Sequence, residues 1–215
     1  MKLDTILFDL DNTLVKTDMK YINKVLKKVI ESFEKEFSED LAEKFWFCSG
    51  RSYFGSMELG INDNEFWKKY RDINSSKKNC NFTNPFYDID FIDYIDNEGF
   101  KTGIVTSAPE YMAKPIIEKI GKNRFDIVVY QNAMHGFKHK PHPQGIKFAL
   151  EKLNSKPENS AYVGDTSGDI KAAERAGVFP IFIDRKTHSI DQKVESPLKI
   201  TSLYCIGKFL QLEGY

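Results

Sequence analysis

Apolar and polar residues follow one pattern in the first part of the chain and another in the rest. Over residues 19–35 apolar side chains recur every three to four positions, with lysine and glutamate between them, which predicts an amphipathic helix. Ser38 is placed to cap a second helix and Asn62 a third. The glycine- and serine-rich stretch 48–60 is predicted to be a loop, and the polar stretch 75–85 a linker.

From Pro85 onward, short apolar runs alternate with amphipathic segments, and a further apolar run lies near the N-terminus. The runs predict buried strands and the segments between them predict helices. Strands alternating with helices indicate an α/β fold with a doubly wound parallel sheet. The predicted strands are 5–8, 102–106, 126–130, 160–163 and 179–183, and the predicted helices lie around 89–95 and at 111–120, 143–153 and 169–176. Pro115 is expected in the first turn of its helix or at a kink.

The overall composition narrows the function classes. The 215 residues include 31 basic and 31 acidic side chains, so the formal net charge is zero, which argues against a nucleic-acid or membrane-surface binder. Three cysteines lie far apart and indicate free thiols in a reducing compartment. The N-terminal apolar run is broken by two aspartates, and no uncharged apolar run approaches the ~20 residues of a membrane span. We therefore expect a soluble cytoplasmic protein, monomeric or homodimeric.

Carboxylates cluster at the ends of two predicted strands. Asp9 and Asp11 directly follow the first, and Asp165 and Asp169 follow the strand at 160–163. Turn formation accounts for the first pair alone, and a helix cap for Asp169, but neither accounts for Asp165. Because ligands of such sheets bind at the carboxyl ends of the strands, these groups are expected to converge. An oxygen-rich site of this kind favours a hard cation, Mg²⁺ by preference.

Two further elements are suited to phosphate. Thr106 and Ser107 end another predicted strand, where a hydroxyl and free backbone N–H groups bind phosphate oxygens, although an ordinary helix cap explains them equally well. Lys140 lies between prolines in Lys140-Pro141-His142-Pro143, in a stiffened loop, and would neutralise phosphate charge. A lysine on a solvated face is the plainer alternative.

Taken in order, these elements resemble the four motifs of the haloacid-dehalogenase superfamily, in particular its phosphoglycolate-phosphatase-like and β-phosphoglucomutase-like members. The resemblance covers residues 1–15 and 86–185 closely, and residues 16–84 by helical character and position. The motifs are D-x-D-x-T at Asp9, Asp11 and Thr13; a strand-ending Thr106; K-P-x-P at Lys140; and G-D-x-x-x-D at Gly164, Asp165 and Asp169.

The resemblance implies a mechanism residue by residue. Asp9 resembles the nucleophile that forms an aspartyl-phosphate, and Asp11 the general acid and base. Lys140 and Thr106 would hold the transferring phosphoryl group, with Ser107 contributing a backbone N–H.

The resemblance also implies a magnesium ion and a lid. The implied metal ligands are Asp9, the backbone carbonyl of Asp11, and Asp165, with Asp169 supporting them directly or through water. Residues 16–84 would form a cap inserted into the α/β core of residues 1–15 and 85–215. Thr13 and, from the cap, Arg51 are candidate substrate contacts, although a solvent-facing role for Arg51 is the competing interpretation.

The predicted function is therefore a Mg²⁺-dependent phosphatase acting on a small phosphate monoester. Three alternatives remain open. A haloacid dehalogenase needs no magnesium, which the presence of both Asp11 and Asp165 argues against. A sugar-phosphate mutase would share every core residue. A non-catalytic small-molecule-binding protein on the same fold would be indicated by loss of Asp9 or Asp11, and both are present.

Overall fold

A computed structural model describes residues 2–47, 50–187, 194–212 and 214, and these residues form eight strands and nine α-helices. The strands are β1 (Thr5–Phe8), β2 (Val15–Thr17), β3 (Thr83–Pro85), β4 (Lys101–Thr106), β5 (Ile127–Tyr130), β6 (Ser160–Gly164), β7 (Phe179–Ile183) and β8 (Leu198–Ile200). The helices are α1 (Met19–Glu31), α2 (Glu39–Phe47), α3 (Asp63–Ile73), α4 (Ser76–Asn81), α5 (Phe91–Asn97), α6 (Glu110–Ile120), α7 (Gln144–Leu153), α8 (Ser167–Ala176) and α9 (Tyr204–Leu210).

Six strands form one parallel sheet in the order β5-β4-β1-β6-β7-β8. Alternate residues of β1 face opposite sides, as the pleat requires. Ile6 and Phe8 pack in the cluster that contains apolar residues of α5, α6 and α9, whereas Leu7 packs with those of α7 and α8. The sheet is therefore covered on both faces, which confirms the predicted α/β class.

The inserted segment between β2 and β3 has an apolar cluster of its own. Every buried member of that cluster lies between Tyr21 and Tyr70. Phe45 is at its centre, with ring centroids of Phe66 and Trp67 at 6.0 and 5.7 Å. The aromatic residues of α2 and α3 therefore hold the insert together by packing against one another.

Both connections of the insert are ordered, and the second is not the linker that the polar stretch 75–85 suggested. β2 and β3 pair antiparallel as a two-stranded ribbon, with the hydroxyls of Thr17 and Thr83 2.8 Å apart. The polar stretch 75–85 contains α4, which Ser75 caps by accepting a hydrogen bond from Lys78 N. The polar composition of this segment led to a wrong prediction, because helix capping and cross-strand pairing order it rather than an apolar face.

Other boundaries shift for local reasons. α1 ends at Glu31 rather than at residue 35, and Glu34 has a left-handed backbone with φ 57°, which is incompatible with a continuing helix. The predicted loop 48–60 contains a 3₁₀ turn and a π-helical turn, at Arg51–Tyr53 and Gly55–Leu59, while residues 48 and 49 lie outside the described residues. Pro115 lies inside α6 rather than in its first turn.

Cys80 and Cys205 are free thiols, as predicted, and Cys48 is outside the described residues. Within the described ranges, none of the helices has the length and apolar character required to cross a bilayer.

A buried ion pair joins the end of β7, the loop after β1 and the segment after β3. Arg185 donates to Asp88 Oδ2 at 2.6 Å and to the carbonyl of Thr13, and its guanidinium stacks 4.1 Å from the ring centroid of Phe86. Burial alone would raise the pKa of Asp88, but hydrogen bonds and charge from Arg185 outweigh it and lower the pKa. The pair therefore contributes to stability above the normal aspartate range, and this contribution is lost as pH falls.

Replacing Asp88 by alanine is expected to destabilise the fold by about 3–5 kcal/mol, because it leaves the Arg185 charge buried without its partner. Urea unfolding at pH 7 measures the change. Asp93→Ala is the matched control, since Asp93 pairs with Arg124 at the surface, where an ion pair contributes about 0–1 kcal/mol. Equal losses in the two variants would contradict a structural role for the buried pair.

Candidate active site

The carboxyl ends of three neighbouring strands bring the first, second and fourth sequence motifs together. Asp9 follows β1, Thr106 ends β4 and Asp165 follows β6, and β1 lies between the other two strands. All three side chains are buried. The Thr106 hydroxyl accepts a hydrogen bond from Ala108 N at 3.1 Å, which shapes the loop containing Ser107.

Lys140 enters the same edge from the loop before α7. Its Nζ lies 2.5 Å from Asp9 Oδ1 and 2.6 Å from Asp169 Oδ1, and its side chain is only 9% exposed. The solvated-lysine alternative is therefore wrong. Lys140 is a buried cation that bridges the carboxylates of the first and fourth motifs.

Three carboxylates form a compact oxygen cluster. Asp9, Asp165 and Asp169 each present one oxygen, and these oxygens lie within 4.8 Å of one another. Asp165 Oδ2 is buried and has no hydrogen-bond partner, while Oδ1 accepts a long 3.4 Å bond from the Thr13 hydroxyl. A buried unpartnered carboxylate oxygen is costly unless a cation compensates it, so the donor set fits a hard divalent ion.

Asp169 is held in place by its own helix. Thr166 and Asp169 form a reciprocal capping box at the start of α8, with Thr166 Oγ1 2.5 Å from Asp169 Oδ2. The helix approaches β6 so closely that a Cβ on Gly164 would lie 2.4 Å from Asp169 Cβ. The glycine of the fourth motif is therefore required by this approach, and the capping interpretation of Asp169 is correct alongside its contact with Lys140.

Burial dominates the electrostatics of the cluster. It raises the pKa of Asp9 to about 7, with Asp169 adding to the effect and Lys140 opposing it. Burial likewise raises the pKa of Asp165, followed by the charges of Asp169 and Asp9. Burial disfavours the charge on Lys140 as well, but the two carboxylates it contacts outweigh burial and raise its pKa well above the usual value. The site thus holds more negative charge than one lysine compensates.

Asp11, two residues after Asp9, is half-buried, and its carboxylate is not among the three clustered groups. Burial raises the pKa of Asp11, and the nearby charges of Arg51 and then Lys140 oppose the shift. The next residue, Asn12, has a left-handed backbone with φ 56°, which asparagine tolerates better than most residues. Its Oδ1 accepts a 3.2 Å bond from Trp46 Nε1, so the insert contacts the first motif directly.

Arg51 packs against Trp46, the residue through which the insert contacts the first motif. Its guanidinium lies 4.6 Å from the ring centroid of Trp46 and donates to the carbonyl of the same residue at 2.7 Å. The side chain is partly buried rather than solvent-facing, and its charge acts on Asp11 and Asp165.

Gln131 and Asn132, at the end of β5, were missed by sequence reasoning. Gln131 Nε2 donates to the carbonyls of Lys138 and His142, on either side of Lys140, at 2.8 and 2.5 Å. Asn132 Nδ2 donates to the carbonyl of Ala108 at 3.1 Å. The two buried amides therefore fix the loops of the third and second motifs. Their only sequence signal was their place directly after an apolar strand.

Tyr162, on β6, was also missed because its position within an apolar strand marks it only as core. Its hydroxyl is buried beneath the cluster, 3.0 Å from Lys140 Nζ and 2.8 Å from the carbonyl of Val105.

A sequence profile described as haloacid dehalogenase-like hydrolase matches residues 6–183. The chain belongs to this family. Pyrophosphatase PpaX of Oceanobacillus iheyensis is 28% identical over 181 residues, which cover 83% of this chain and 82% of the relative. The crystal structure of a predicted phosphatase from Clostridium acetobutylicum superposes with a TM-score of 0.83 at 21% identity, covering 99% of this chain and all of that one. A predicted phosphoglycolate phosphatase from Haemophilus somnus gives a TM-score of 0.76 at 18% identity, covering 97% and 98%.

Membership of this family makes the chain a hydrolase. The two solved structures are similar enough to show that the haloacid dehalogenase-like fold is shared, and at these identities they show the fold alone.

Proposed function

We propose that this chain is a Mg²⁺-dependent phosphatase that hydrolyses a small phosphate ester through an aspartyl-phosphate on Asp9. One observation carries the proposal: a buried lysine and three buried carboxylates share one strand-end site, and one carboxylate oxygen there has no partner. Such a site is suited to a cation and a phosphoryl group together. The named activity of the pyrophosphatase relative supports phosphoryl chemistry.

The metal would be held by the carboxylates of Asp9 and Asp165 and by the backbone carbonyl of Asp11. Asp169, whose two oxygens bond to Lys140 and Thr166, would support these ligands without binding the metal directly or would bind it through water. When bound, Mg²⁺ neutralises phosphate charge and lets the carboxylates stay ionised at a site where burial otherwise favours their protonated forms.

In the first step, a carboxylate oxygen of Asp9 attacks phosphorus, and the bond from phosphorus to the leaving oxygen breaks. Asp11 donates its proton to that oxygen, which the upward shift of its pKa favours. In the second step, ionised Asp11 accepts a proton from water, the water oxygen attacks phosphorus, and the bond to Asp9 breaks. Phosphate leaves, and both aspartates return to their initial states.

Other residues of the chain hold the phosphoryl group. Lys140 lies against Asp9 and so can donate to a phosphoryl oxygen at the point of attack. Thr13, Thr106 and the backbone of Ser107 would complete the binding of the phosphoryl and substrate oxygens.

Residues 16–84 would act as the cap and residues 1–15 and 85–215 as the core. The separate apolar cluster of the insert and its attachment through the β2–β3 ribbon support this division. The bond from Trp46 to Asn12 would close the cap over the site and exclude water. Arg51, stacked on Trp46, would then face the leaving group.

The test is a screen of phosphate esters and inorganic pyrophosphate with and without Mg²⁺. Activity is expected only with the metal, because the carboxylate cluster repels a phosphate dianion without it. Malachite green detection of released phosphate measures hydrolysis, and product analysis separates it from phosphoryl transfer within a sugar phosphate. Full activity in excess EDTA, or no activity on any substrate with Mg²⁺, would refute the proposal.

A further inference from the structure

We propose that Tyr162 is a positioning residue that fixes Lys140 for phosphoryl transfer; the inference rests on the proposed phosphatase function. Tyr162 belongs to none of the four motifs. Its hydroxyl nevertheless lies where three of them meet, in contact with Lys140, with the carbonyl before Thr106 and, at 3.5 Å, with Asp169 Oδ1.

The Tyr162 hydroxyl has a single proton to donate. Its geometry directs the proton to the carbonyl of Val105 at 2.8 Å. Since one O–H makes one strong bond, the oxygen's lone pairs are left to accept from Lys140 Nζ at 3.0 Å. The orientation of the tyrosine as an acceptor for the lysine is therefore set by the backbone of β4.

Each donor of Lys140 also has an acceptor. An ammonium has three N–H bonds, and three close acceptors surround it: Asp9 at 2.5 Å, Asp169 at 2.6 Å and Tyr162 at 3.0 Å. Asp169 is itself immobilised by its capping box, and Tyr162 by Val105. Two donors are thus anchored, and the third points at Asp9, where the phosphoryl group would arrive.

The tyrosine therefore directs the one hydrogen bond of Lys140 that can pass from Asp9 to a phosphoryl oxygen. Without the hydroxyl, Lys140 keeps its charge and its carboxylate partners, but the donor that Tyr162 accepted is free to turn toward the carbonyl of Val105, 3.4 Å away, and the ammonium can shift with it. A small misplacement of this kind costs rate more than binding.

Tyr162→Phe tests the inference, with Tyr204→Phe as the matched control, since the Tyr204 hydroxyl bonds to Asp90 away from the site. For Tyr162→Phe we expect kcat to fall about 10- to 100-fold, the usual effect of losing a hydrogen bond to a charged group. KM and Mg²⁺ affinity should change less than about threefold. The fall should be equal for good and poor leaving groups, because Lys140 contacts the phosphoryl group rather than the leaving oxygen.

Two further measurements separate positioning from folding. A variant with 4-aminophenylalanine at 162, which keeps a donor and a lone pair, should recover much of the lost rate. Crystal structures should show Lys140 Nζ moved from its wild-type position in Tyr162→Phe and restored in the rescue variant.

The inference is overturned if Tyr162→Phe matches Tyr204→Phe in kcat per folded molecule, or if Lys140 keeps its position in the crystal. It is also overturned if the loss appears only with poor leaving groups, which would assign the tyrosine to proton transfer. Inactivity of the wild-type protein on every substrate would refute the proposed function instead, while the position of Lys140 in the crystals would still decide the inference.

Discussion

Asp9→Asn is expected to abolish turnover, whereas Asp11→Asn should leave a slow enzyme that accumulates phosphoenzyme. Both side chains belong to the first motif, but their surroundings differ. Asp9 is buried at the end of β1 and pairs with Lys140, so under the proposed mechanism it would be held rigidly for in-line attack. Asp11 is half-buried and lies near Arg51 of the insert, where under the proposed mechanism it would reach the leaving oxygen and then water.

The expected sizes differ accordingly. Loss of the nucleophile should lower kcat by roughly 10⁴-fold or more, with no covalent intermediate. Loss of the acid and base should cost about 10²–10⁴-fold, and least for substrates with good leaving groups. Metal binding should survive in Asp11→Asn, because its ligand is expected to be the backbone carbonyl.

Intact-protein mass spectrometry after acid quench detects one added phosphoryl group. Asp4→Asn is the matched control, since Asp4 is an exposed carboxylate at the opposite end of β1. If Asp9→Asn retains phosphate and Asp11→Asn never does, the two roles are reversed.

Asp165→Asn is expected to lower Mg²⁺ affinity more than Asp169→Asn. Asp165 has a buried, unpartnered oxygen, whereas both oxygens of Asp169 already have partners in Lys140 and Thr166. Losing a supporting partner costs about 10- to 100-fold in metal affinity, and losing a direct ligand should cost more. Isothermal titration calorimetry measures both, with the surface variant Asp93→Asn as the control. Superimposable titrations of the two site variants would contradict the assignment.

Without metal, the buried carboxylates of the site should lower the stability of the fold at high pH, so Asp165→Asn should stabilise it. Burial raises the pKa of Asp9 to about 7 in the metal-free fold, from 3.8 for an ordinary aspartate. This group therefore destabilises the metal-free fold as pH rises from about 4 to 7. Burial raises the pKa of Asp165 in the same direction, so Asp165→Asn should raise the unfolding temperature of the metal-free protein at pH 8. Thermal unfolding with EDTA at pH 5 and pH 8 checks the sign.

The sequence predicted those features that depend on local patterns. The apolar run of β1 and the polar residues after it were sufficient to place Asp9 at the carboxyl end of a strand in a parallel sheet. The stripe of α1 and the cap at Asn62 were equally local, and Asn62 does accept from the backbone of Asn64 and Glu65. The family resemblance then supplied roles that no local pattern contains.

The missed features depend on long-range contacts. Tyr162 looks like any apolar strand residue until the fold puts its hydroxyl beside Lys140. Nothing near Gln131 in the sequence marks it, because its amide bonds to the loop of the third motif, which only the fold brings close. The ribbon of β2 and β3 joins segments 66 residues apart at Thr17 and Thr83, so neither strand is recognisable alone.

The position of β1 in the sheet has a consequence for folding kinetics. This N-terminal strand pairs with β4 and β6, so Thr5 is aligned with Lys101 on one side and Ser160 on the other. The contact from Lys140 to Asp9 spans 131 residues and that from Thr13 to Asp165 spans 152. Such non-local pairing slows folding, because the entropy of closing large loops is lost before the stabilising contacts form. During synthesis on a ribosome, β1 could pair with β4 but would lack its second neighbour until β6 emerges, so the complete site should form only late.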